Sequence, residues 1–185
     1  MWHARLLNAY SETFRAYHTA QHLGECLDLL DRHGREPTGL MEMALWFHDA
    51  VYDPRASDNE ERSAELARIA LKEGGVASTE IAEVERLIML TKSHQPGGGP
   101  DDPLLIDIDL AIFGQNEDRF DEYEKQIRLE YSWVPDPIYR AKRVEVLTAF
   151  LQRQSIFMTR EFQELFEANA GVNIRRLIST LSFPT

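Results

Sequence analysis

Apolar residues recur along most of this chain at intervals of three and four, which is the period of a helix with one buried face. We therefore expect an all-α fold of about eight helices. Gly34 lies where it would end the second helix, and Pro37 lies where it would open the third. The predicted helices cover, approximately, residues 2–14, 19–33, 37–49, 57–75, 78–94, 104–113, 117–132, 137–153 and 159–181.

The starts of two of these helices carry capping signals. The hydroxyl of Ser57, three residues before Glu60, resembles a capping box and predicts the start of the fourth helix. Ser78 or Thr79 is expected to cap the fifth helix.

The one strong loop signal is a run rich in proline and glycine at residues 95–103, which is too short to predict a domain linker. Residues 104–113 alternate as a strand does, but Gly114 and the helical surroundings favour a short buried helix. A chain of 185 residues, 43% of them hydrophobic, can build one sizeable core. We therefore expect a single domain over residues 1–185.

The formal net charge of −11 would repel polyphosphate backbones and anionic lipids, so a nucleic-acid polymer or a membrane surface is not an expected partner. Cys26 is the only cysteine, which excludes an intrachain disulfide and a CxxC zinc site. The first residues turn polar too early for a signal peptide, and no apolar run reaches membrane-spanning length. These features predict a soluble, cytoplasmic protein.

A histidine and an aspartate, His48 and Asp49, end the apolar run of the third predicted helix. A buried carboxylate needs a partner, and neighbours on a helix point about 100° apart, so both side chains could reach one ion. The alternative is that His48 and Asp49 form a structural hydrogen-bonded pair at the end of a helix. This alternative stays open because short motifs such as His-Asp recur by chance.

Two other segments offer metal-binding side chains. His18 and His22 are four residues apart and share a helix face, while Asp107 and Asp109 lie inside an otherwise apolar segment. Each carboxylate there needs a partner as well.

Five motifs taken together resemble the HD superfamily of metal-dependent phosphohydrolases: "YHTAQH", "WFHDAVYDP", "DNEERSA", "DIDLAIFG" and "IRLEYSWV". More narrowly, they look like a small stand-alone HD family described as predicted metal-dependent phosphohydrolases. The resemblance runs from about Tyr10 to beyond Arg143. It implies an HD-type helical bundle that hydrolyses a nucleotide or another small phosphate ester.

The resemblance implies one divalent metal ion, which would be Mn, Fe, Co, Ni, Mg or Zn. Two imidazoles and two carboxylates suit such ions and leave positions for water and substrate in six-coordination. A bound ion would lower the pKa of its water toward neutrality. The implied ligands are His22, His48, Asp49 and Asp109, with His18 and Asp107 as the neighbouring alternatives.

Many members of the superfamily carry a lysine or glutamate three residues after the His-Asp pair, where this chain has Tyr52. The general base is therefore open. The candidates are Asp53, Asp58 and Glu61, of which Asp53 is closest in sequence to the pair.

A phosphate substrate also needs positive charge, and guanidinium groups match phosphate oxygens geometrically. The predicted substrate-binding residues are His18, Lys92, His94, Arg128, Arg140 and Arg143.

Two other functions remain open from the sequence. The fold could serve a non-catalytic module that binds a nucleotide or a signal molecule. A di-iron HD-type oxygenase would require more histidine ligands, and only His94 lies between Asp49 and Asp109, which favours one metal over two.

Overall fold

The computed structural model describes residues 2–35 and 38–182, and every regular element within them is helical. The all-α prediction is confirmed, and so is the number of about eight helices for this part of the chain. The helices are α1 (Trp2–Ala9), α2 (Ala20–His33), α3 (Gly39–Phe47), α4 (Asn59–Glu73), α5 (Ser78–Ser93), α6 (Asp102–Leu110), α7 (Glu117–Glu130), α8 (Asp136–Leu151), α9 (Arg160–Phe162) and α10 (Ala168–Ser182).

Two short irregular helices complete this order. A 3-10 helix, Ala111–Gly114, follows α6 directly, and a π-helical turn, Gln163–Glu167, joins α9 to α10. Residues 160–182 are therefore one continuous helical run. Thr159 caps its start, because its side chain accepts a hydrogen bond from the Phe162 N–H.

Helix α1 is shorter than predicted and ends at Ala9 rather than at residue 14. The Ser11 hydroxyl donates to the Leu7 carbonyl at 2.7 Å. The Ser11 N–H bonds to Asn8 three residues back rather than four. Such local bonds compete with the helical ladder and end it here. The predicted opening of the third helix at Pro37 lies outside the described residues.

Both predicted helix caps are wrong. Asp58, not Ser57, precedes α4, and its side chain makes no capping bond. The Ser57 carbonyl accepts a hydrogen bond from Lys92 instead. Helix α5 begins at Ser78, so the residue at the cap position is Ala77, whose N–H donates to the Glu80 carboxylate at 3.3 Å.

The chain divides into two compact units, Met1–Ile108 and Asp109–Thr185. The prediction of a single domain over residues 1–185 stays a prediction. In the first unit α3 packs against α2, α4 and α5, and its core includes Leu45, Leu87 and Ile88. In the second unit α10 packs against α8 and the 3-10 helix around a core that includes Phe120, Leu147, Phe157, Phe162 and Ile174.

The proline- and glycine-rich loop of the first unit is tied to the start of α6 by one carboxylate. Asp102 accepts hydrogen bonds from the Gly97 N–H at 2.6 Å, the Gly99 N–H at 3.0 Å and the Arg86 guanidinium at 2.7 Å. A Cβ atom at Gly99 would lie 2.5 Å from the Arg86 guanidinium and 2.6 Å from the Asp102 carboxylate, so a larger residue there would have to displace this ion pair. The helix therefore starts at Asp102, two positions before the predicted start.

None of the helices within the described residues has both the length and the apolar character needed to cross a membrane.

Candidate metal centre

Helices α2 and α3 bring three predicted ligands of the first unit together. Thr19 caps α2 by accepting a hydrogen bond from the Gln21 N–H, which places His22 on the first turn. The apolar run buries α3 in the core, and His48 follows its last residue, with its N–H bonded to the Ala44 carbonyl at 2.8 Å. His22 and His48 are 3% and 2% exposed. Asp49 is the next residue.

The ligand atoms of these residues, which we call the His22–His48–Asp49 triad, lie at hydrogen-bonding or ion-pair distances. His48 Nε2 is 3.2 Å from His22 Nε2 and 3.0 Å from Asp49 Oδ2. His22 Nε2 is 3.6 Å from Asp49 Oδ2. Ligands about 2.1 Å from one ion lie about 3.0 Å apart in octahedral and about 3.4 Å apart in tetrahedral coordination. The spacing of the triad therefore fits a shared cation.

The protonation of His48 gives the triad its chemistry. Its Nδ1 lies 2.7 Å from the Leu45 carbonyl, which can only accept, so Nδ1 carries the proton. In the neutral ring Nε2 then presents a lone pair toward the Asp49 carboxylate and His22 Nε2. These groups repel one another unless a hydrogen on His22 Nε2 or a metal ion lies among them.

His22 is oriented from its other ring nitrogen. The Tyr17 hydroxyl lies 3.0 Å from His22 Nδ1, and the two rings pack with their centroids 4.7 Å apart. With Nδ1 donating to the Tyr17 oxygen, Nε2 is the nitrogen left for a metal. The buried Cys26 thiol lies 3.7 and 3.8 Å from the two ring nitrogens, one turn further along α2.

Asp49 is in the anionic form that a metal ligand requires. Burial by itself would raise the pKa of its carboxyl, but the imidazoles of His48, His18 and His22 lower that pKa well below its usual value. Its side chain is 19% exposed, more than either histidine of the triad. The carboxylate is thus the triad's most accessible member.

Sequence reasoning missed Arg15, which holds the backbone of the triad in place. Its guanidinium donates to the Asp49 carbonyl at 2.6 Å, the Ala50 carbonyl at 3.2 Å and the His18 carbonyl at 3.1 Å. Its side chain is fully buried and is also bonded to Glu12. A lone arginine before a histidine motif gives no signal, because the bonds that define its role come from a distant segment.

His18 and Tyr52 lie beside the triad. Their rings stack with centroids 4.1 Å apart, and the His18 ring is 6.1 Å from that of His22 in a perpendicular arrangement. Tyr52, which stands where the resemblance leads one to expect lysine or glutamate, is thus an aromatic support for His18. Positive charge on His18 also lowers the pKa of Asp49. The position of His18 is compatible with its predicted contact to substrate.

The three candidate general bases are exposed, and two of them, Asp53 and Glu61, already accept hydrogen bonds within the protein. Asp53 accepts a hydrogen bond from the Arg55 N–H at 2.9 Å, closing a turn. Asp58 directly precedes α4, and Glu61 is bonded to Lys92. Their roles as general bases stay predictions.

The predicted phosphate contacts are also engaged. Lys92 bonds the Ser57 carbonyl and Glu61, which fastens α5 to the start of α4. Arg143 is buried against Glu124 and Tyr123. His94 adopts a left-handed backbone conformation, φ 50°, where α5 ends.

Two more predicted arginines bind backbone carbonyls near helix ends. Arg128 donates to the Tyr131 and Val134 carbonyls at 2.7 and 3.2 Å. Arg140 donates to the Thr180 and Leu181 carbonyls at 2.8 and 3.0 Å. These bonds satisfy carbonyl groups that the helices leave open. Phosphate binding by either arginine stays a prediction.

The predicted fourth ligand, Asp109, lies on α6 and is the first residue of the second unit. It is partly exposed, whereas Asp107, the alternative, is fully buried in the first unit. The assignment of Asp109 stays a prediction.

No family model matches the chain, and neither the curated proteins nor the solved structures contain a significant match to it.

Proposed function

We propose that this protein is a metal-dependent phosphohydrolase that acts on a nucleotide or another small phosphate ester. The observation that carries the proposal is the His22–His48–Asp49 triad, in which two buried Nε2 atoms and an ionised carboxylate meet within 3.6 Å. A divalent ion bound there would supply Lewis acidity and a water of lowered pKa. Resemblance of the sequence to the HD superfamily directs the proposal to phosphate esters.

Different residues of the chain would bind the ion, orient its ligands and contact the substrate. His22, His48 and Asp49 hold the ion, with Asp109 as the fourth ligand. Tyr17 and the Leu45 carbonyl fix the two imidazoles so that Nε2 of each faces inward. His18, stacked on Tyr52, lies beside the triad and contacts the substrate.

A non-catalytic module that binds a metal and a nucleotide or signal molecule is the second candidate. The observation that favours it is the engagement of the predicted catalytic and phosphate-binding groups. Asp53 closes a turn, and Lys92 pairs with Glu61. A hydrolase needs groups that are available to the substrate.

Elemental analysis of the purified protein beside His48→Ala and Asp109→Ala tests the proposal, with His3→Ala as the control at an exposed histidine. We expect about one ion per chain in the wild type and in the control, and loss of the ion in both ligand variants. Full metal in His48→Ala would overturn the site. Loss in His48→Ala alone would remove Asp109 from it, and two irons per chain would favour the oxygenase.

Phosphate release from a panel of nucleotides with added Mn²⁺ separates the two candidate functions. We expect release by the wild type and not by His48→Ala. A protein that holds its metal but releases no phosphate from any member of the panel, and still binds a nucleotide, would be the binding module. Far-UV circular dichroism of each variant checks that the helices are retained.

A further inference from the structure

The second unit contains a groove of about 580 Å³ lined by α7, α8 and α10. Its volume lies within the range of small-molecule sites in proteins. It shares no residue with the His22–His48–Asp49 triad and does not depend on the function proposed for that triad.

Much of the groove's lining is apolar. Leu129 contributes from α7, and Leu177 and Leu181 contribute from α10, with the ring of Tyr139 from α8. Leu129 is 64% exposed, which is a large fraction for a leucine beside a groove. A ligand with a hydrocarbon body would remove this surface from water, at about 25 cal/mol per Å² of apolar area.

The charged residues of the lining comprise four cations and three carboxylates, so one positive charge is in excess. Arg128 and Arg140 donate to backbone carbonyls, and both lie within 4.0 Å of the Asp136 carboxylate. Arg176 forms a two-pronged pair with Asp121.

Lys125 is the remaining cation of the groove. It is exposed and has no ion pair with any residue in the described ranges. Because the other cations are engaged, the excess charge of the groove is concentrated on the Lys125 ammonium group. One ammonium group complements one negative charge. A phosphate dianion is disfavoured, because the three carboxylates of the lining would repel it and only one cation is available to offset its charge.

Two hydrogen-bonding atoms of the lining residues lack partners among the described residues. These are the Tyr139 hydroxyl and Arg176 Nε, and both are buried. Burial raises the pKa of Tyr139, so its hydroxyl keeps its proton at neutral pH. Buried donors without acceptors are unfavourable, so these two atoms add a local cost beside the groove.

We propose that this groove binds a small monocarboxylate with an unbranched apolar chain, with its carboxylate at Lys125 and its chain along Leu129, Leu177 and Leu181. The single uncommitted cation matches the head group, and the leucines match the body.

Titration calorimetry of the full-length protein with three probes tests both halves of this proposal. Octanoate has the charge and the chain, octanol has the chain without the charge, and acetate has the charge without the chain. We expect octanoate to bind at least about tenfold more tightly than either of the others. Equal binding of octanol, or of acetate, would overturn the proposal.

Matched variants locate the site. Lys125→Gln should weaken octanoate binding about fivefold, whereas Lys142→Gln, at an exposed lysine outside the groove, should leave it unchanged. Leu129→Asp should weaken it further, and Val172→Asp, at a similarly exposed position outside the groove, should not. Octanoate affinity that is unaffected by both groove variants would place its binding elsewhere and overturn the proposal.

Discussion

Two carboxylates of the first unit, Asp49 and Asp102, are both ionised at neutral pH although burial opposes the charge of each. They differ in what stabilises that charge. Asp102 receives hydrogen bonds from two backbone N–H groups and the Arg86 guanidinium, all of which can only donate. Asp49 faces Nε2 of His48, which presents a lone pair in the neutral ring, and Nε2 of His22.

The comparison separates a structural carboxylate from a candidate metal ligand. The protein itself satisfies Asp102, which needs nothing added and joins a loop to a helix. In the His22–His48–Asp49 triad, the acceptor atoms are satisfied either by a hydrogen on His22 Nε2 or by a cation that joins them. Removing Asp102 should therefore cost stability, whereas removing a member of the triad should cost metal binding.

The largest effect is expected from His48→Ala. We predict a loss of at least about 100-fold in affinity for Mn²⁺ or Zn²⁺, because one of the three ligand atoms of the proposed site disappears. In the wild type, metal at 100 times its dissociation constant should stabilise the fold by about 2.7 kcal/mol. Thermal unfolding with and without metal measures this, and the shift should vanish in His48→Ala but persist in Asp102→Asn. A shift that persists in His48→Ala would contradict the assignment.

The second prediction concerns Asp102→Asn, which should destabilise the fold by about 2 kcal/mol at pH 7, because a buried carboxylate loses its charge beside three donors. Glu83→Gln is the matched control, since Glu83 also bonds Arg86 but is partly exposed. Urea unfolding of both variants measures the difference, and the control should lose clearly less.

The third prediction concerns how the stability difference between the wild type and Asp102→Asn depends on pH, which follows from the lowered pKa of Asp102. A carboxyl whose pKa is lower in the folded than in the unfolded state stabilises the fold above the unfolded value, about 3.9, and loses that contribution as the pH falls. The difference between wild type and Asp102→Asn should thus be constant from about pH 5 to pH 8 and shrink below about pH 4. A difference that grows on acidification would contradict this account.

The helical spacing of apolar residues predicted the fold class, because burial of one face per helix sets that spacing. Gly34 ends α2 as predicted. The predicted caps at the starts of α4 and α5 were wrong, because a cap depends on which backbone groups lack partners. Ser57, the predicted cap, is bonded through its carbonyl to Lys92, which lies 35 residues away. Local patterns contain no record of such long-range bonds.

Three of the four predicted metal ligands meet in the first unit, and their sequence signal was a set of motifs rather than any single pair. The orienting partners were not predicted. A tyrosine close to a histidine is common in sequences and does not by itself indicate a contact such as that of Tyr17 with His22. The Leu45 carbonyl is a backbone group, and every helix has such groups. Arg15 acts through backbone carbonyls, which no side-chain motif can reveal.

A smaller effect is expected from Tyr17→Phe, which removes the hydroxyl beside His22 Nδ1 and keeps the ring. We predict a loss of about tenfold in metal affinity, because the imidazole loses the partner that fixes its tautomer and orientation. Competition with a chromophoric chelator measures it. Tyr139→Phe removes the same hydroxyl from a residue of the second unit and should leave metal affinity unchanged. Equal losses in both variants would indicate a general effect on folding.

The smallest effect is expected from Asp53→Asn, which extends the comparison to a third carboxylate. Asp53 accepts a backbone N–H at 2.9 Å, as Asp102 does, and the amide oxygen of asparagine can accept the same bond. We therefore predict that metal content is unchanged. Phosphate release within about twofold of the wild type would remove Asp53 from the candidate bases. General-base catalysis contributes about 100-fold or more, so a loss of that size with full metal retained would make Asp53 the base. Asp53→Ala completes the test, because it removes the turn as well as the charge.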